Sequence, residues 1–184
     1  MFQVTHFGLY FTPAAQAGLK TAGNHANLAS AWEALDAKQA DSQAADIDRA
    51  LAAALLVKLS GDDQAQTAGH ALAAFQNAVS VPLPENDLEA AAELQTRLHV
   101  FELLRDHPAF LAARGRYADD LSEQVARLTA ASDPHEYAVQ LWLSAVKLLS
   151  GIVFEREAWF DEGVSAFKQV IAKELRPQGF IHLR

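Results

Sequence analysis

The feature that most constrains this chain is the spacing of apolar residues in its last quarter, residues 133–184. In the second half of this stretch the spacing is three or four residues, at Phe160, Gly163, Val164, Phe167, Val170, Ile171 and Leu175. The first half repeats the pattern at Tyr137, Leu141, Ala145, Leu148, Leu149 and Ile152. Such spacing places each set on one stripe of an α-helix. The sequence therefore predicts two long amphipathic helices joined by a tight turn.

The same periodicity continues upstream, where predicted helices begin near residues 44, 63, 85 and 108, before those near 134 and 156. The short connections between them force neighbouring helices to run antiparallel, which gives stacked helical hairpins. Their repeat of roughly 45 residues is typical of helical solenoids and toroids. We therefore predict one all-α domain over residues 1–184, built from antiparallel helical hairpins that form a partial or open (α/α) toroid.

Several local sequence signals predict where helices begin and end. Residues 1–11 are apolar and alternate, which predicts an extended N-terminal arm or a short edge strand. Thr12 followed by Pro13 predicts a helix start with threonine as the cap. His107 before a proline is interpreted as a helix terminator, and the pair 150–151 (Ser-Gly) is expected to loosen the end of a helix.

Charge and composition narrow the classes of function. The formal net charge is −8, and no basic stripe is present, which argues against nucleic acid or an anionic membrane surface as the partner. A local cationic cleft that binds a polyanion stays compatible with this charge. The absence of cysteine rules out disulfides and cysteine metal sites. No apolar run reaches about 18 residues, so no membrane span is predicted.

Four segments of the final hairpin, 142–146, 155–163, 167–171 and 177–181, combine a tryptophan-bearing helix, an acidic turn and a Pro-Gln-Gly-Phe stop. With this pattern the chain resembles the alginate lyase and heparinase II/III-like polysaccharide lyases, mainly over residues 135–184. The resemblance implies the N-terminal part of an α/α toroid and β-elimination on an acidic, uronate-containing glycan such as alginate. The alternative is a non-catalytic helical interaction or carbohydrate-binding module.

If the chain is a lyase, β-elimination needs a group that neutralises the sugar carboxylate, a base and an acid. His135 and Tyr137 lie at the start of the first predicted helix, and His182 and Arg184 lie just past the end of the second. Antiparallel helices of near-equal length bring these two ends to one level. The candidate catalytic residues are therefore His135, Tyr137 and Arg184, and the candidate substrate-binding residues are Trp142 and His182.

Each candidate also has a structural alternative. His135 is compatible with a first-turn surface position, Tyr137 with a core contact whose hydroxyl lies at the edge, and the last two candidates with a chain end. Three tryptophans either stack on sugar rings or pack in the core: Trp32, Trp142 and Trp159. The acidic residues near 155–157 and 161–162 are predicted to be solvated.

No cofactor or metal is predicted, because no histidine pair shows the spacing of a zinc motif. His70 and His99 are predicted to be partly buried packing residues within helices. The resemblance implies a periplasmic or secreted protein, and without it a cytoplasmic location is expected.

A partial ring leaves apolar helix faces without neighbours. The stripe of Phe160, Val164, Phe167 and Ile171, and that of Trp32 and Leu35 near the other end, would then lie exposed. Large contiguous apolar patches are uncommon on soluble monomers. We therefore predict self-association as a two-fold homodimer, the commonest symmetry, with the N-terminal arm as a contributor.

Overall fold

The computed structural model describes residues 4, 12, 14–15, 17–18, 26–60, 65–131 and 136–174. Residues 26–174 of this described part form eight α-helices, and no strand occurs among the described residues, which confirms the predicted all-α class. The helices are α1 (Ala26–Ala40), α2 (Asp46–Ser60), α3 (Ala65–Ser80), α4 (Asp87–Leu104), α5 (Pro108–Leu111), α6 (Arg114–Ala131), α7 (Tyr137–Val153) and α8 (Glu157–Glu174). Closure of the hairpins into a toroid stays a prediction.

Most of the helix starts lie within three residues of the predicted ones. The helix expected from residue 108 also begins there, but it is not continuous: it divides into α5 and α6. The predicted helix break before Pro108 is confirmed, because α4 ends at Leu104. His107 itself is the N-cap of α5, where its Nδ1 accepts a hydrogen bond from the Ala109 amide at 3.3 Å. Pro108 follows at the first helical position, where the lack of an N–H costs nothing.

The predicted cap at the N-terminus is confirmed. The Thr12 Oγ1 accepts a hydrogen bond from the backbone amide of Ala15 at 3.1 Å, which satisfies one of the otherwise unpaired donors of a helix start. Ala14, Ala15, Ala17 and Gly18 are helical. Except for Val4, the predicted arm 1–11 lies outside the described residues.

By their contacts, the residues group into two compact units that interleave along the chain. The first unit comprises Met1–Val4, Leu83–Leu98 and Ala118–Arg184, and the second comprises Thr5–Pro82 and His99–Tyr117. Helices α4 and α6 contribute residues to both units. The prediction of a single domain over 1–184 stays a prediction.

In the second unit, α1 packs on α2 and α2 packs on α3. Both α2 and α3 contain several buried alanines, whose small side chains permit close approach of neighbouring backbones. An aromatic cluster of Phe75, Phe101, Phe110 and Tyr117 fills the remaining core. Its ring centroids lie 5.2–6.0 Å apart, and Phe110 stacks nearly parallel on Tyr117. Such aromatic pairs add to stability beyond the area that they bury.

The first unit contains the predicted terminal hairpin, formed by α7 and α8. Two glycines set the approach of these helices: a Cβ atom on Gly151 would lie 2.3 Å from the Phe160 backbone nitrogen, and one on Gly163 would lie 2.4 Å from that of Leu148. The sequence interpretation of 150–151 as a loosened helix end is wrong, because α7 continues to Val153 and both residues are buried. Gly151 is needed for close packing.

The turn between α7 and α8 is a Schellman motif with glutamate at the position that glycine usually occupies. The Arg156 amide donates to the Gly151 carbonyl at 2.8 Å, and the Glu155 amide donates to the Ile152 carbonyl at 3.2 Å. Glu155 has a φ of 55°, in the left-handed region. For a residue with a Cβ this conformation costs about 1–2 kcal/mol.

Replacing Glu155 with glycine should therefore raise the free energy of unfolding by about 0.5–1 kcal/mol, since part of the relieved strain is offset by the greater backbone entropy of glycine in the unfolded chain. Urea denaturation measures the change. The matched control is Glu157→Gly in the first turn of α8, which should destabilise the protein by about 1 kcal/mol. Destabilisation by both variants would contradict the assignment of strain to residue 155.

The apolar stripe of α8 is only partly covered. Phe160, Val164 and Ile171 are half-buried, and Phe167 is 44% exposed. Trp32 and Leu35 on α1 are also half-buried. Of the six residues expected to lie exposed, only Phe167 is exposed, and the homodimer stays a prediction. No helix among the described residues is long and apolar enough to cross a membrane.

Candidate functional site

Two of the five predicted site residues fall in the described part of the chain. Tyr137 is the first residue of α7 and is half-buried. Contrary to the structural alternative, its hydroxyl is not at the edge: the oxygen is buried and has no hydrogen-bond partner among the described residues. A buried, unpaired polar atom is rare and calls for an explanation. His135, His182 and Arg184 lie outside the described residues.

Trp142, the second described candidate, is 38% exposed. It follows Tyr137 by five positions on α7, which rotates it by roughly 140° around the helix axis. The two side chains therefore leave α7 on different sides. Tyr137 instead shares a stripe with Ser144, Leu148 and Gly151, the stripe that faces α8.

A groove of about 490 Å³ runs beside this hairpin, within the first unit. Its walls come from the end of α6, from α7 and from α8. It is lined by Thr129, Gln140, Leu143, Ser144, Lys147, Glu162, Ala166, Gln169, Val170 and Lys173. None of these residues was predicted as a site residue. The available signal was the recurrence of polar side chains at three- and four-residue spacing on both helices, beside their apolar stripes.

Lys147 is the most firmly held charge in the groove. Its Nζ atom lies 2.9 Å from the Glu162 carboxylate and 4.8 Å from the centre of the Trp159 ring. The lysine side chain is 18% exposed, whereas that of Glu162 is 60% exposed. A cation held by an ion pair and an aromatic face has little freedom to move, so Lys147 is a pre-positioned positive charge.

Trp159 serves as the support for this lysine. The Arg156 guanidinium lies 4.2 Å from the same ring centre, and Phe154 approaches the ring edge-on at 6.3 Å. With two cations within contact distance, the half-buried indole has little free face for a sugar ring. Its role is to hold Lys147 at the turn end of the groove.

The floor of the groove combines apolar and hydroxyl groups. Leu143 and Val170 are buried, and Ser144 is only 2% exposed. The Ser144 hydroxyl donates to the Leu141 carbonyl, and the Thr129 hydroxyl donates to the Val125 carbonyl, both at 2.8 Å. Each oxygen keeps lone pairs that accept hydrogen bonds. The groove thus offers acceptors on its floor and cations on its walls.

The histidines in the described helices lie outside this groove. Burial lowers the pKa of His99, which is therefore neutral near pH 7 and packs as predicted. His70 is exposed on α3, so the prediction that it is partly buried is wrong. Among the described residues no group of three His, Cys, Asp or Glu side chains could hold a metal ion.

Fold and groove together define an all-α protein with a polar, partly cationic groove along a glycine-packed helical hairpin. Comparison of the chain with protein-family models, with curated proteins and with solved structures finds no match. The likeness to polysaccharide lyases therefore rests on the sequence motifs of the terminal hairpin.

Proposed function

We propose that the protein binds an acidic, uronate-containing polysaccharide in the α6–α7–α8 groove and cleaves it by β-elimination. The observation that carries the proposal is the pair of lysines, Lys147 and Lys173, in a groove of the same hairpin that bears the lyase-like motifs.

The charge of the groove differs in sign from that of the chain. Among its described lining residues, two lysines face one glutamate, whereas the whole protein carries −8. A local positive site on an acidic surface selects anionic groups at that site and repels polyanions elsewhere. This arrangement supports a carboxylate-bearing ligand.

The lining of the groove also suits a sugar. A volume of about 490 Å³ lies within the usual range of ligand sites. Buried Leu143 and Val170 offer apolar contacts for the faces of a pyranose ring, while Gln140 and Gln169 offer amides for its hydroxyls. A mixed surface of this kind supports a carbohydrate in preference to a purely apolar ligand.

In β-elimination a base removes the proton from the carbon beside the carboxylate. The bond to the glycosidic oxygen then breaks, a carbon–carbon double bond forms, and an acid protonates the leaving oxygen. The resemblance suggests His135 and Tyr137 for these proton transfers, Arg184 for the carboxylate, and Trp142 and His182 for binding. Tyr137 lies one turn before Gln140, a lining residue of the groove, which supports its part in this proposal.

The test is incubation with alginate, glucuronan and a heparin-like glycan, followed by the ultraviolet absorbance of the unsaturated product. We expect product from at least one of them, and Tyr137→Phe should lower the rate about 100-fold or more, the usual contribution of a positioned proton-transfer group. Tyr117→Phe, the same change in the aromatic cluster of the second unit, is the control and should retain activity.

Three outcomes separate the hypotheses. Product that depends on the Tyr137 hydroxyl supports the lyase. Tight binding of the glycan without product supports the alternative, a non-catalytic carbohydrate-binding module. A folded protein that neither binds nor cleaves any of the three glycans would overturn the proposal.

A further inference from the structure

We propose that Glu162 occupies, in the free protein, the position on Lys147 that a carboxylate of the ligand takes when it binds. Glu162 would then set the affinity of the groove, while the separation of Lys147 and Lys173 would set the length of ligand that the groove selects. This inference rests on the proposed function, because it identifies how the groove recognises an acidic chain.

The two partners of this ion pair differ in mobility. The Lys147 side chain is largely covered and its Nζ lies over the Trp159 ring, two constraints that do not depend on Glu162. The Glu162 side chain is 60% exposed. Exposed carboxylates gain little from one ion pair, so Glu162 leaves Lys147 at small cost.

A carboxylate that approaches Lys147 meets the same donor that Glu162 uses. The lysine ammonium has three hydrogens, yet two carboxylates beside one cation repel each other. Glu162 is the one acid among the described lining residues of the groove. Binding of an anionic sugar at this point therefore requires that Glu162 turns out into solvent.

The position of the second lysine adds a length requirement. Lys147 pairs with Glu162, so the position of Glu162 on α8 gives the level of Lys147 in the groove. Lys173 lies three turns further along α8, a rise of roughly 16 Å. A single monosaccharide is too short to contact both cations. The ligand that uses both is an extended chain with anionic groups on successive units, so the groove selects oligomers over monomers.

The experiment is calorimetric titration of the full chain with alginate oligosaccharides and with monomeric uronate. Glu162→Gln should bind the oligosaccharide roughly three- to fivefold more tightly, the scale of one exposed ion pair. Lys147→Met should bind it at least about tenfold more weakly, the scale of a lost charge-assisted hydrogen bond. Lys173→Gln should weaken oligosaccharide binding and leave monomer binding unchanged.

Asp161→Asn is the matched control, because it makes the same change of charge at a neighbouring exposed residue outside the groove lining. It should leave the affinity near that of the native protein. A gain in affinity with Glu162→Gln that Asp161→Asn does not reproduce supports the inference. If Glu162 had only a structural role, its replacement would not tighten binding. Circular dichroism verifies that each variant is folded.

The results also distinguish this inference from the proposed function. Suppose that the native protein binds the oligosaccharide and that Glu162→Gln binds it equally or more weakly. The inference that a ligand carboxylate displaces Glu162 would then be wrong, while the proposed binding in the groove would be unaffected. An equal gain from both acidic variants would attribute the effect to general charge and overturn the inference. If native protein and variants all fail to bind, the proposed function and the inference fall together.

Discussion

Replacing Gly163 by alanine should lower the free energy of unfolding by about 3 kcal/mol, although alanine is the better helix former. The added Cβ would lie 2.4 Å from the backbone nitrogen and 2.7 Å from the Cα of Leu148. These are backbone atoms of the facing helix, so no side-chain rotation relieves the overlap. The helices would have to move apart, which loosens the packing along the hairpin. Urea denaturation followed by circular dichroism measures the loss.

The control is Gly69→Ala in α3, where an added Cβ meets no atom within 4 Å. That variant should gain about 0.5–1 kcal/mol, the intrinsic preference of a helix for alanine over glycine. The two variants make the same chemical change in helices and are expected to differ in sign. A gain of stability in both would mean that α7 and α8 do not approach closely at Gly163.

The periodicity of the sequence predicted the helices well but not which part of each stripe is covered. On α8, the predicted stripe includes Gly163 and Val170, which are buried, and Phe167, which is exposed. Amphipathic spacing reports the apolar side of a helix, whereas burial depends on the width and position of the neighbour. Here α8 contacts α7 most closely at Gly163, so the large side chain of Phe167 lies at the margin of the contact between the two helices.

The groove was missed for a related reason. Lys147 and Glu162 lie on different helices, and each alone has the pattern of a solvated charge. Their pairing depends on the register of the hairpin, which the contacts of Gly151 with Phe160 and of Gly163 with Leu148 determine. Spacing along one helix contains no information on that register. Tyr137, in contrast, was predicted from its residue type and its place at a helix start, and its role stays a prediction.

The second large loss of stability is expected when Arg97 is replaced by alanine. The Arg97 side chain is fully buried on α4. The Arg97 Nε donates to the Glu93 carboxylate at 3.1 Å, and the Arg97 Nη2 forms an ion pair with the same carboxylate oxygen. The Arg97 Nη1 donates to the amide oxygen of Gln124 at 2.9 Å. Arg97→Ala leaves Glu93 without this cation and opens a cavity. Loss of one partner of a buried pair costs about 3–5 kcal/mol, and the lower end is expected here because the Glu93 side chain is 27% exposed.

Arg127→Ala on α6 provides the matched control for this prediction. Arg127 pairs with Glu123 at the same four-residue spacing, but the two side chains are 76% and 61% exposed. Water replaces the lost partner there, so the cost should stay below about 0.5 kcal/mol. The comparison isolates burial, because residue types and spacing are identical. Similar losses for the two variants, measured by urea denaturation, would contradict the assignment of the effect to burial of the Arg97 charge. A large loss at Arg97 alone would attribute the effect to burial of this guanidinium and of its contacts with Glu93 and Gln124.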